Sequence, residues 1–223
     1  HAAVAPWEGV NALSIANSAY QMMGLMRETF QEKDHVRLHT LIREGGEALN
    51  CVPDRVVVES KVRAGSLDTI YHIREKVTRA FEGAAYAFGG KIHRERLQGY
   101  LPVRFRPADT ALKMAAKFLD GYTYREVAQS DFNNACTDVG DLTHLMPVVN
   151  FTYAGFTGVL HGADFAITDW DKAVIAPAKL MALTVYELLK NQGEQARRVI
   201  EDYQPVFTQE EYVDFVWKII ENR

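Results

Sequence analysis

Three groups of polar residues in this chain have the types and spacing to do chemistry. His161 closes the run "FTGVLH" at the C-terminal end of a strand-like stretch, with Gly162 beside it to let backbone approach closely. Open α/β sheets present ligands at such strand ends, so His161 is a candidate metal ligand, set against the commoner structural role of a loop histidine. His144 and Asp141 stand three residues apart on a short predicted helix and could share a metal. Asp138 and Asp141 are more simply read as helix-start carboxylates favoured by the dipole. Arg63 ends a strand on its non-core face, and Asn50 lies in the loop that feeds that strand. Guanidinium and carboxamide both donate to carboxylate oxygens, so the pair reads either as a two-point carboxylate clamp or as a solvated Arg and a turn Asn. His35, His39, His72 and His93 fall in strand or helix patterns and read as surface or structural. Cys51 and Cys136 are too few and too isolated for a disulfide framework or a CxxC metal site. They read as buried or half-buried thiols, which fits a cytoplasmic setting.

The elements that must position these residues follow from periodicity. Val10, Leu13, Tyr20, Met23, Met26 and Phe30 recur at helical steps or their multiples after Gly9. A short strand is expected over Val36 to Ile42, then the turn-rich loop "REGGEALNCVPD". "RVVVESKVR" is the clearest strand, with Val56, Val58 and Val62 on one side and Val57, Glu59, Lys61 and Arg63 on the other. A second helix is expected from the cap Ser66 to Phe88, stopped by Gly89-Gly90, with "KIHRERL" as a polar edge strand. Helix, strand, strand, helix, strand is a β-α-β-β-α-β split unit whose first strand would lie upstream of residue 1. Helices then cover one face of the sheet and leave the other open to a ligand or partner. Beyond it, Pro102 and Pro107 flank a crossover, and a helix is expected from about Asp109 to Leu119. "NNACTDVGDLTHLMP" reads as a loop into a short helix, and "VVNFTYAGFTGVLHGADF" as glycine-punctuated strand. A long helix follows to about Lys190, kinked at Pro177. Thr208 and Glu211 form a capping box for the last helix, with Phe207 and Tyr212 as its staple.

Composition narrows the function classes. The chain has 223 residues, enough to bury a core, with 48% hydrophobic and 24% charged residues. A formal charge of -4, with scattered Lys and Arg, gives no reason to expect nucleic acid. No run has the apolar length of a membrane span.

"HAAVAPWEGVNAL", "REGGEALNCVPDRVVVESKVRA", "CTDVGDLTHLMP" and "GVLHGADF" occur in this order. With them the chain resembles the C-terminal part of a metal-dependent amidohydrolase of the aminoacylase/carboxypeptidase (zinc peptidase) family. Within it the chain is most similar to the branch of p-aminobenzoyl-glutamate hydrolase subunits and amidohydrolases of N-acyl amino acids. The resemblance runs from residue 1 to about residue 190. It implies an α/β protein with two parts: an α+β, ferredoxin-like dimerisation lid over residues 1–104, lacking its first strand, and the C-terminal part of a di-metal catalytic domain over 107–223. His1 matches the lid histidine that reaches into the partner subunit's active site and stabilises the oxyanion. Asn50 and Arg63 match the lid residues that bind the substrate's terminal carboxylate, and His161 matches the last metal ligand. Thr137, with Asp138, matches a loop beside the metal site and is assigned a substrate contact. Trp7 departs from the pattern, standing where many relatives have a histidine after the proline.

The family mechanism implied is attack on an amide carbonyl by water held between two divalent metals, zinc or manganese, with a glutamate moving the proton. The remaining ligands and that glutamate are expected upstream of residue 1. The expectation is therefore a piece of an enzyme that cleaves N-acyl or N-aroyl amino acids or dipeptide-like substrates. The piece itself is expected to be inactive, to hold no metal tightly and to form a homodimer through the lid. Two rivals stand beside it: a non-catalytic dimerising or binding protein on the same lid fold, and an enzyme completed by a second chain.

Overall fold

The computed structural model describes residues 1–97, 99–104, 110–125 and 136–221. They form mixed helix and sheet in two compact units, the first built mainly on His1–Val103 and the second on Arg104, the helix after it and Asp138–Tyr212. Pro107, Asp109 and the first three residues of the "NNACTDVGDLTHLMP" loop lie outside the described residues.

The first unit runs α1 (Ala12–Met26), β1 (Arg37–Glu44), β2 (Val57–Arg63) and α2 (Leu67–Phe88). Asn11 caps α1, its side chain accepting from the amides of Leu13 and Ser14 at 2.9 and 3.1 Å. Ser66 caps α2 by accepting from Thr69 N, and Gly89, at φ 72°, closes it in the left-handed conformation. Both helix ends of α2 thus fall where the caps predicted. β1 and β2 pair antiparallel, with Leu38 opposite Val62 and Ile42 opposite Val58 on the helix side. Met23, Leu38, Ile73, Val77 and Ala80 form the core, joined by Tyr20, Phe30, Val36 and Val62. Each large apolar side chain so buried contributes about 1.5–3 kcal/mol. Ile15, Ala19, Ala84 and Ala85 continue this contact along α1 and α2. The three alanines let the two helices approach closely, and a Cβ on Gly90 would lie 2.3 Å from Ile15 Cδ1.

The expected edge strand "KIHRERL" does not form: Lys91–Leu97 has no strand structure, and all but half-buried Arg96 are exposed. Its two apolar residues, Ile92 and Leu97, are five positions apart and would face opposite sides of a strand. No face is left to bury.

The second unit contains α3 (Thr110–Ala116), α4 (Val139–Leu145), β3 (Phe156–Thr157), β4 (Ala166–Ile167), α5 (Ala176–Glu201) and the first turn of α6 (Gln209–Glu221), the rest of which belongs to the first unit. α3 packs on α5 and buries Ala111 and Ala115 completely. The strand-like stretch contracts to two-residue strands, Phe156–Thr157 pairing antiparallel with Ala166–Ile167. The backbone at Pro177 is helical, with no break in φ/ψ at that residue. It stands at the second residue of α5, directly after a π-helical turn at Asp171–Ile175, so its missing N–H falls where that turn passes into the α-helix. The break comes instead at Lys190–Gly193, where Asn191, Gln192 and Gly193 are all left-handed. The capping box at α6 is present: Thr208 N donates to Glu211 Oε2 at 2.7 Å, and Glu211 N to Thr208 Oγ1 at 3.2 Å. Phe207 and Tyr212 rings lie 6.3 Å apart as the staple.

Candidate functional site

Two of the candidate residues come together in the first unit. Ala2 N donates to Asn50 O at 2.9 Å, and Ala12 N to Pro53 O at 2.8 Å. The segment before α1 therefore lies along the loop between β1 and β2, with His1 next to Asn50. His1 is exposed, and its Nδ1 accepts from Ala3 N at 3.2 Å. An imidazole that accepts at Nδ1 carries its proton on Nε2, so the outward nitrogen is a donor. The Asn50 carboxamide oxygen accepts the Cys51 thiol at 3.8 Å, which leaves the amide nitrogen as its donor end. Cys51, in the loop between β1 and β2, is exposed rather than buried.

Arg63 is elsewhere. It is the last residue of β2 and lies directly opposite Arg37, whereas the Asn50 loop leaves the hairpin from Glu44 and Val57. Val57 and Arg63 are six strand steps apart, about 20 Å. The arrangement of α1 agrees: its start lies at the Asn50 loop, while Arg27, just past its end, donates through Nη2 to Leu38 O at 3.0 Å. Asn50 and Arg63 therefore do not clamp one carboxylate within a single subunit.

His161 lies in the second unit, in the loop between β3 and β4. It is exposed and left-handed at φ 68°. Gly162 N donates to Val159 O at 2.7 Å, and Val159 N approaches Asp164 Oδ1 at 3.4 Å, so the nearby carboxylate turns into the loop. Gly158, at φ 85°, makes this turn possible; a Cβ there would fall 2.3 Å from Asp164 O. Among the described residues no three His, Cys, Asp or Glu side chains converge on a common point. One imidazole with an inward-turned carboxylate does not fit a metal by itself, since even catalytic zinc takes three protein ligands. Thr137 is exposed and directly precedes Asp138, the cap of α4.

His144 and Asp141 are occupied structurally. His144 is buried, its Nδ1 is 2.9 Å from Gly140 O, and its ring stacks on Phe207 at 6.2 Å. Burial, the largest cause, holds its imidazole below the ordinary histidine range, against a raising contribution from the Gly140 carbonyl. Asp141 accepts from Tyr212 Oη at 2.9 Å. Burial first, and this bond second, push the Tyr212 phenol up to about 12. Periodicity alone does not identify the cross-strand neighbour of Arg63, which is Arg37. Alternation placed Arg63 on the open face, and only the register of β1 against β2 puts a second guanidinium beside it.

No family model matches the chain. It is 27% identical over 196 residues to the Xaa-Arg dipeptidase of Mus musculus, an alignment covering 85% of this chain and 45% of that protein. It is 23% identical over 228 positions to the Xaa-Arg dipeptidase of Homo sapiens, covering 97% of this chain and 50% of that protein. The chain thus spans about half the length of the curated relatives it matches. The similarity supports a hydrolase of the peptidase and amidohydrolase kind. No helix among the described residues is long and apolar enough to cross a membrane.

Proposed function

We propose that this chain is the lid and the C-terminal part of the catalytic domain of a metal-dependent amidohydrolase acting on N-acyl amino acids or dipeptides. The reading is closest to the p-aminobenzoyl-glutamate hydrolase branch. The observation that carries it is the backbone bond from Ala2 N to Asn50 O, which holds the chain at His1 against the Asn50 loop; on this reading the His1 Nε2–H and the Asn50 carboxamide N–H are the donors. Such donors lower the barrier to amide cleavage by stabilising the oxyanion that forms when water adds to the carbonyl carbon. The C–N bond then breaks, the amine leaves with a proton and the acyl group leaves as carboxylate. Arg63 holds the terminal carboxylate of the amino-acid half of the substrate. Because Asn50 lies in the loop at one end of the hairpin and Arg63 at the other, with about 20 Å of strand between Val57 and Arg63, they serve one substrate only if each subunit of a dimer supplies one of them. His161 is one donor to a metal whose other ligands come from outside this chain.

The test is hydrolysis by the intact protein that carries this chain, loaded with zinc or manganese. The substrates are N-acetyl, N-benzoyl and p-aminobenzoyl amino acids and simple dipeptides. At least one substrate class should turn over. His1→Ala should lower kcat about 100-fold with little change in KM, the pattern of a lost transition-state contact. Arg63→Ala should act mainly on KM. No turnover of any class, or full activity in His1→Ala, would overturn the reading. The non-catalytic alternative predicts that first result.

A further inference from the structure

α5 is apolar on the side it turns to solvent. Ala178, Met181, Ala182, Val185, Tyr186 and Leu189 stand at i, i+3, i+4, i+7, i+8 and i+11, the spacing of a single helix face. At 3.6 residues per turn they fill an arc of about 140° that holds no charged side chain. All six are exposed, the four larger ones between 53% and 64%. The polar groups lie on the other side of the helix. Thr184 and Glu187 are buried there, Thr184 Oγ1 donating to Leu180 O at 2.7 Å and the Glu187 carboxylate 2.6 Å from Lys190 Nζ. A helix of a finished domain buries its apolar stripe and wets its polar side, and α5 does the reverse. Single exposed apolar residues are common on any surface, whereas a contiguous stripe of this kind marks an interface.

The width of the stripe decides what covers it. A helix pair uses a narrow seam of about two positions in every seven, while a helix lying on a core or a sheet needs a stripe of at least about 100°. Ala178 and Ala182, set between the larger residues, leave hollows into which side chains of such a layer can fit. The second unit does not supply the layer itself. Among the described residues its sheet is a pair of two-residue strands, against a stripe of about 18 Å along the helix. The two dipeptidase alignments cover only 45% and 50% of those proteins, which leaves about half of each outside what this chain matches. We propose that the Ala178–Leu189 face of α5 is the seam on which the rest of the catalytic domain, in the part of the parent protein outside this chain, lays an apolar sheet face. This rests on the reading of the chain as one part of an amidohydrolase catalytic domain. The layer seated on α5 then belongs to the same part that brings the ligands His161 needs.

The experiment compares thiol labelling in the 223-residue chain and in the intact protein that carries it, with each labelled cysteine located by mass spectrometry. Val185→Cys should react quickly with a maleimide in the chain alone. Thr184→Cys, one residue away on the buried side, should react slowly in both and reports that α5 is folded. In the intact protein Val185→Cys should slow by at least about 100-fold, the protection of a seam that opens rarely. Equal, fast labelling of Val185→Cys in both proteins would overturn the proposal. Protection already present in the chain alone, and rising with its concentration, would make a second copy the occupant and would also overturn it. A second readout uses Val185→Lys, which should leave the thermal midpoint of the chain alone unchanged or raised and lower that of the intact protein. A lowered midpoint in both would mean that the face is already covered within the chain, against the proposal. Protection in an intact protein that cleaves no amide would sustain the seam and overturn the amidohydrolase reading. Turnover with Val185→Cys still reactive would do the opposite.

Discussion

At the scale of single residues, position in the hydrogen-bond network decides which imidazole can act. His1 and His144 each use Nδ1 locally, yet they meet opposite surroundings. His1 is exposed and turns Nε2 outward, while His144 is buried between Gly140 and the Phe207 ring. The Tyr203 hydroxyl donates to Thr143 O at 2.7 Å, and Val206 N donates to His144 O at 2.9 Å. α4 is thereby fixed to the segment before α6. This gives a pH prediction with a definite sign. His144 is held below the ordinary histidine range by burial, so the unfolded chain takes up that proton at a higher pH than the folded one. The contribution to stability is complete above the ordinary histidine pKa. It is lost progressively as pH falls from there through the lower folded-state value. Thermal midpoints measured from about pH 7.5 to 5 should fall in the native chain, and the fall should be shallower in His144→Gln. Equal slopes would show that His144 is protonated without penalty in the folded state.

At the scale of elements, backbone geometry sets what each connection tolerates. The His161 loop exists because Gly158 reaches φ 85° within 2.3 Å of where a Cβ would strike Asp164 O. Gly158→Ala therefore needs both a left-handed alanine and a shifted carbonyl, and should destabilise by about 2–3 kcal/mol. Gly83 is the opposite case, exposed within α2 with nothing within 4 Å of its would-be Cβ. Gly83→Ala should stabilise by about 0.5–1 kcal/mol. Denaturant midpoints of the two variants should move in opposite directions, and a shift of the same sign in both would contradict this account. The two glycines also show what the sequence makes legible. α2 could be read end to end, because amphipathic spacing, a Ser cap and a Gly-Gly stop all agree. The capping box of α6 was equally local. The His161 hairpin could not be read, since five of its eighteen residues are Gly or Ala and the pairing depends on long-range fit. The break at Lys190–Gly193 was hidden for a related reason: three successive left-handed residues leave no periodic signal. For the candidate site, alternation revealed which face Arg63 occupies. Register, which sequence does not encode locally, was needed to set Arg37 opposite it and to part it from Asn50.

At the scale of the whole molecule, the first unit carries a two-stranded sheet with α1 and α2 on one side. A lone hairpin is marginal in water, and here packing against the two helices supports it. Among the described residues neither outer edge of that sheet is paired, because Lys91–Leu97 does not form the strand that would cover one of them. Unpaired edges carry a row of N–H and C=O groups that a second chain can satisfy. The functional reading makes the same demand from another direction. Asn50 and Arg63 lie at opposite ends of the hairpin, so a substrate that needs both requires two copies. Edge pairing between two first units would meet both requirements at once. Sedimentation velocity over about 1–50 µM should then show twice the 25.2 kDa chain mass, with dissociation only at the lowest concentrations. A monomer throughout would leave each substrate with either Asn50 or Arg63 and would remove the physical basis for a shared site. Aggregates without a dimer plateau would mean that the edges pair without closed symmetry.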